Sequence, residues 1–82
     1  MHKGKNLLII INRQKTGRKI TDMILSKGYT VKTLADRIGL AEDRSVYLWC
    51  KGEVIPSSEY LLALAVEFNL DIRDIIDYTD LR

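Results

Sequence analysis

The chain has 82 residues, 46% hydrophobic and 29% charged, with one Pro, five Gly and a formal net charge of +2. That apolar fraction is enough for a core and excludes a disordered chain, and the length fits one small domain. Its apolar runs fall short of the ~20 residues that span a bilayer, and Leu7–Ile11 is too short for the apolar region of a signal peptide. A cytoplasmic protein without membrane contact is therefore expected. Cys50 is the single cysteine and His2 the single histidine. This pair cannot supply an internal disulfide, a cysteine-rich metal site or a histidine-centred catalytic set, so neither an enzyme nor a cofactor is expected.

Charge is divided unevenly. Residues 1–40 carry nine Lys/Arg against two acids, a balance of +7, and residues 41–82 carry four against nine, a balance of −5. A basic half offers an electrostatic footprint for a polyanion, whereas two merely solvated faces would give the same arithmetic.

In chain order, Asn6–Asn12 is an Ile-rich apolar run whose length and β-branching predict a strand. A lone strand must find a partner for its backbone groups, either a second copy of the chain or the helices of its own. Gln14–Gly17 reads as a turn. Beyond Arg18 the period becomes helical. Ile20, Met23, Ile24 and Lys27 form one helix face, and Gly28 follows as its terminator. Thr30 is an N-cap residue before Val31, Leu34, Ala35 and Ile38, which recur at i, i+3, i+4 and i+7, with Gly39 as the stop. Glu42–Lys51 places Val46, Trp49 and Cys50 at helical spacing and ends at Gly52. Ser57 or Ser58 caps a fourth helix, Tyr60–Phe68, apolar nearly all round. Asn69 ends it, and Asp71 opens a last short helix with Ile72, Ile75 and Ile76.

The most informative stretch is Thr30–Gly52, two short helices around a tight glycine-bearing turn. This is the pattern of a helix-turn-helix unit, whose second helix can enter a DNA major groove. Ala35 is expected where the two helices cross, and Val46 and Trp49 where the second helix locks onto the core. Cys50 is read as a packing residue.

Residues 17–77 resemble the helix-turn-helix domain of the Cro/C1 (phage repressor-like) family. The resemblance rests on Gly28-Tyr-Thr-Val-Lys-Thr-Leu-Ala35, Ile38-Gly39, Val46-x-x-Trp49-x-Lys51-Gly52, Pro56-Ser57, Leu61-Leu62-x-Leu64-Ala65, Phe68-Asn69-Leu70 and Asp71-Ile72-x-Asp74-Ile75-Ile76. The spacing from Gly39 to Val46 is one residue longer than usual. A subgroup of short bacterial proteins shares the Tyr two positions before the Trp, here Tyr47. The resemblance implies an all-α, five-helix lambda-repressor-like domain over 17–77, with an N-terminal arm, 1–16, extended or β-stranded, and a tail, 78–82. It also implies a transcriptional regulator, a repressor occupying a double-stranded DNA operator as a homodimer, with no small-molecule effector.

Carried over to this sequence, the resemblance makes Asp43, Arg44, Ser45 and Leu48 candidates for base reading. Arg18, Thr30, Val31, Lys32, Tyr47, Lys51 and Ser57 are the candidates for phosphate. Arg44 has the fork for guanine O6 and N7, and Asp43 can accept from cytosine N4. The acids Glu42, Asp43 and Glu53 beside the reading helix repel phosphate. They motivate an alternative in which the same fold binds a protein partner, as an antirepressor or accessory module. Leu25 and Val66 stand where polar residues are expected. With the strand residues Leu7, Ile9 and Ile11 they are the candidates for a dimer contact.

Overall fold

Asn12 sets where the helical part begins. Its side chain accepts from the Lys15 backbone N–H at 2.9 Å, and its own backbone is extended, so it caps a helix that starts at Arg13. The computed structural model describes residues 8–82, in the order β1 (Ile9–Ile11), α1 (Arg13–Ser26), α2 (Val31–Arg37), α3 (Arg44–Lys51), α4 (Ser58–Phe68), α5 (Ile72–Ile75) and β2 (Tyr78–Asp80). The expected five helices and the expected strand are all present. Leu7 lies outside the described residues.

Each helix contributes one side chain with no solvent exposure: Ile20, Leu34, Val46, Leu64 and Ile75. Ile24, Ala35, Trp49, Leu61, Ala65 and Phe68 complete the core. Burying a side chain of this size contributes about 1.5–3 kcal/mol, so the five helices are held by a shared centre rather than by propensity. Trp49 is 3% exposed and lies 5.6 Å from the Tyr60 ring, as expected of a core residue.

Three features differ from the sequence expectation. Gln14–Gly17 is not a turn but the first part of α1. Gly17 is there because a Cβ on it would lie 2.4 Å from the Trp49 carbonyl oxygen and 2.6 Å from that of Cys50. It is the point where α1 crosses α3 backbone to backbone. Second, α3 starts at Arg44 rather than Glu42; Asp43 is its N-cap residue, with no side-chain capping bond. Third, the tail 78–82 contains a strand that the sequence did not announce. Residues 78–80 form β2, antiparallel to β1, with Ile9, Ile10 and Ile11 opposite Asp80, Thr79 and Tyr78. The strand therefore has a partner within its own chain.

The base of this ribbon is fixed by a buried polar group. Thr16, 1% exposed, accepts from the Asp77 backbone N–H at 2.9 Å, and the Asn12 N–H donates to the Asp77 carbonyl at 2.8 Å. Thr16→Val keeps the shape and removes the acceptor. It should cost about 1–3 kcal/mol, the desolvation penalty of an unpaired buried donor, in a urea unfolding titration.

A second polar cluster holds α2 against α4. Glu67 on α4 accepts from the Tyr29 hydroxyl at 2.7 Å and pairs with Arg37, the last residue of α2, whose guanidinium lies 5.3 Å from the centre of the Tyr29 ring. The hydrogen bond from Tyr29, then that from Arg37, holds the Glu67 carboxyl below its ordinary value of 4.5. A depressed carboxyl pKa contributes stability above the unfolded value, and the contribution is lost as pH falls through the folded one. Glu67→Gln should therefore melt earlier than the wild type at pH 7. The gap should narrow as thermal scans are taken down from pH 4.5.

Candidate nucleic-acid interface

Thr30 starts the site. Its Oγ1 accepts from the Thr33 N–H at 3.0 Å, capping α2 with the residue expected for that role. Leu34 and Ala35 then turn inward. Gly39, at φ +87°, carries the chain out of α2, where the Leu40 N–H closes back on the Ala35 carbonyl at 2.8 Å. After the short turn through Asp43, α3 lays Val46 and Trp49 into the core.

What α3 leaves outside is a line of three side chains. Arg44, Tyr47 and Lys51 are exposed, with Tyr47 half open to solvent. Asp43, Ser45 and Leu48 are half-buried; Leu48 and Asp43 were expected on the exposed face. Leu48 and Asp43 are thus less open to solvent than the three side chains of the outer line. The altered helix start also redistributes the charge. Arg44–Lys51 contains two cations and no acid; Glu42 belongs to the turn before it, and Glu53 to the loop after it.

Around this helix, Arg18, Thr30, Lys32 and Ser57 are exposed, and Val31 is half-buried. Arg13 was not singled out from the sequence. Its guanidinium donates to the Glu53 carbonyl at 3.4 Å, so the start of α1 adds a cation beside the end of α3. The signal for it was Asn12, which as a cap would have put Arg13 on the helix. Gly52, at φ +78°, ends α3 in the left-handed region, and a Cβ there would meet Gln14 Cα at 2.7 Å. Two glycines, Gly17 and Gly52, thus let α1 press against the carboxyl end of α3 and set its height. Among the described residues no group of acids, Cys and His is arranged to hold a metal ion, and no helix is long and apolar enough to cross a membrane.

The same arrangement occurs in solved structures. The restriction-modification controller protein C.AhdI from Aeromonas hydrophila superposes with a TM-score of 0.69 at 26% identity, over 76% of this chain and 92% of that one. The SOS-response transcriptional repressor LexA from Eubacterium rectale superposes with a TM-score of 0.75 at 27% identity, over 80% of this chain and 69% of that one. The chain has the lambda-repressor-like helix-turn-helix fold of these regulators. No family model matches it, and no curated protein does. In this domain the two helices of the motif are α2 and α3. The ribbon β1–β2 joins its two ends at the base of α1.

Proposed function

We propose that this protein is a sequence-specific double-stranded DNA-binding transcriptional regulator, a repressor that occupies its operator as a homodimer in the cytoplasm. The observation that carries the reading is the outer line of α3, where Arg44, Tyr47 and Lys51 are exposed on a helix whose opposite side is locked into the core. An exposed Arg at the first turn of such a helix can take guanine O6 and N7 together, which specifies a base. Tyr47 and Lys51 suit sugar and phosphate, where contacts fix register. Arg13, Arg18 and Lys32 flank the helix and supply further cations for the backbone. Likeness to a controller protein and to a transcriptional repressor supports the same reading.

Glu42 and Asp43 set a limit on affinity. The acids in the turn before α3 repel phosphate and offset part of what the flanking cations gain, so a moderate affinity is expected. The test is selection from a pool of random duplexes at low and moderate salt. Enrichment of a short, roughly palindromic site is expected. Failure to retain any duplex at low salt would end the proposal.

A further inference from the structure

The ribbon β1–β2 leaves an edge that asks for a partner. Leu81 N–H donates to the Leu8 carbonyl at 2.7 Å, and Asn12 N–H to the Asp77 carbonyl at 2.8 Å. In an antiparallel pair the backbone groups of alternate residues point to the partner. Leu8, Ile10 and Asn12 therefore spend theirs on β2, and the N–H and C=O groups of Ile9 and Ile11 point outward. Among the described residues no third strand takes them, since the sheet has two strands. An isolated two-stranded ribbon is at best marginally stable in water. This one is also unusually apolar, with Leu8, Ile9, Ile10 and Ile11 all between 40% and 51% exposed.

The two edges are not equivalent. The outer edge of β2 carries Asp80, whose carboxylate is held by Arg82 through Nε at 2.9 Å and Nη2 at 2.8 Å. A charge pair on an edge strand is a common guard against pairing. The edge of β1 has no charge, no Pro and no bulge from Leu8 to Ile11.

We propose that the β1 edge pairs with β1 of a second copy across a two-fold axis at Ile10, joining the two ribbons into one four-stranded antiparallel sheet. About that axis, Ile9 of each copy falls opposite Ile11 of the other. These are the residues with outward N–H and C=O groups, so both positions form fully hydrogen-bonded pairs. Ile10 faces its own counterpart. No like charges meet, because the edge carries none, and a two-fold contact of this kind is self-complementary. The contact is short, below the usual size of a permanent interface, so the dimer forms and dissociates with concentration. The pairing rests on the homodimer reading above and gives it a surface and a register.

Two variants test it by sedimentation and by cross-linking, both without DNA. Ile9→Pro removes only an outward N–H, leaving the bonds to β2 in place, and Pro is tolerated at such edge positions. It should keep the helical circular dichroism and raise the dimer dissociation constant at least tenfold. Ile10→Cys, in a Cys50→Ser background, should oxidise readily to a covalent dimer, because directly opposed strand residues suit disulfide geometry. Val66→Cys, on the solvent-facing side of α4, should not. A wild-type chain that stays monomeric up to millimolar concentration overturns the pairing. So does an Ile9→Pro chain that associates like the wild type, or cross-linking at Val66 instead of Ile10. A chain that cross-links at Ile10 yet retains no duplex sinks the DNA reading alone. One that binds a palindromic duplex without cross-linking sinks the strand pairing alone.

Discussion

Gly17→Ala is expected to lower the thermal midpoint by roughly 15 °C, because overpacking of this kind costs about 3 kcal/mol and each kcal/mol moves a domain of this size by about 4–8 °C. The contacts in the way are backbone carbonyl oxygens of Trp49 and Cys50, at 2.4 and 2.6 Å from the added carbon. Neither can rotate aside as a side chain could. Relief requires α1 and α3 to separate, and that separation withdraws Ile20, Val46 and Trp49 from one another. A differential scanning calorimetry comparison with Lys19→Ala, a change at a half-exposed helical position, checks the size of the effect. A loss of less than about 1 kcal/mol would mean that the crossing is looser than described. The second consequence concerns position. α3 is held at its height by this contact, so a Gly17→Ala chain that survives folding should also bind duplex more weakly than its stability accounts for.

Arg44→Ala carries the largest expected effect on binding. A bidentate contact to guanine discriminates by about 1–3 kcal/mol, which is about five- to 160-fold per half-site. With two copies on a symmetric operator, the loss should reach two orders of magnitude or more, and the preference at one base of each half-site should relax. Lys51→Ala is the matched control. Loss of a phosphate contact weakens binding across all sequences alike and reduces the salt slope by about one per copy. Fluorescence anisotropy with the selected duplex and with a scrambled one separates the two patterns. If Arg44→Ala behaves like Lys51→Ala, Arg44 does not read a base. The circular dichroism of both variants should match the wild type, since both side chains are exposed and outside the core.

The parts of the fold legible in the sequence are those written in local chemistry. Thr30 as a cap, the Val31-Leu34-Ala35-Ile38 face, Gly39 and Gly52 as stops, Asn69 in the left-handed region and Asp71 as the opening of α5 are all where the sequence puts them. Asp71 even completes a capping box with Asp74. Each of these can be read from neighbours within about two helical turns, although Gly52 also lies against Gln14.

What the sequence hid depends on distant neighbours. In Gln14-Lys15-Thr16-Gly17 a glycine after polar residues reads as a turn, yet its reason is the α3 backbone, more than thirty residues away. Glu42 and Asp43 read as the first helical turn because acids suit that position. In the structure they form the turn itself, and the reading helix comes out with cations at both ends. The charge split between the two halves of the sequence is therefore a poor guide to this surface. Arg13 stands beside α3 although it is separated from it by the whole of the first two helices. The strand was visible as a strand, but its partner was not, because Tyr78-Thr79-Asp80, although Tyr and Thr favour strands, is only three residues long and pairs with a segment more than sixty residues away.

That last pairing has a consequence for synthesis. Ile11 pairs with Tyr78, so β1 leaves the ribosome long before its partner exists. At about 5–20 residues per second the delay is several seconds, far longer than a short helix needs to form. During that time the uncharged aliphatic run Leu7–Ile11, five residues long, has neither a strand partner nor the anchor at Asp77. In a polysome, neighbouring nascent chains expose the same run at the same stage. The residues of β2 thus decide when those of β1 stop being available to a neighbour. Removal of Tyr78–Arg82 should leave a helical chain that aggregates through its amino end.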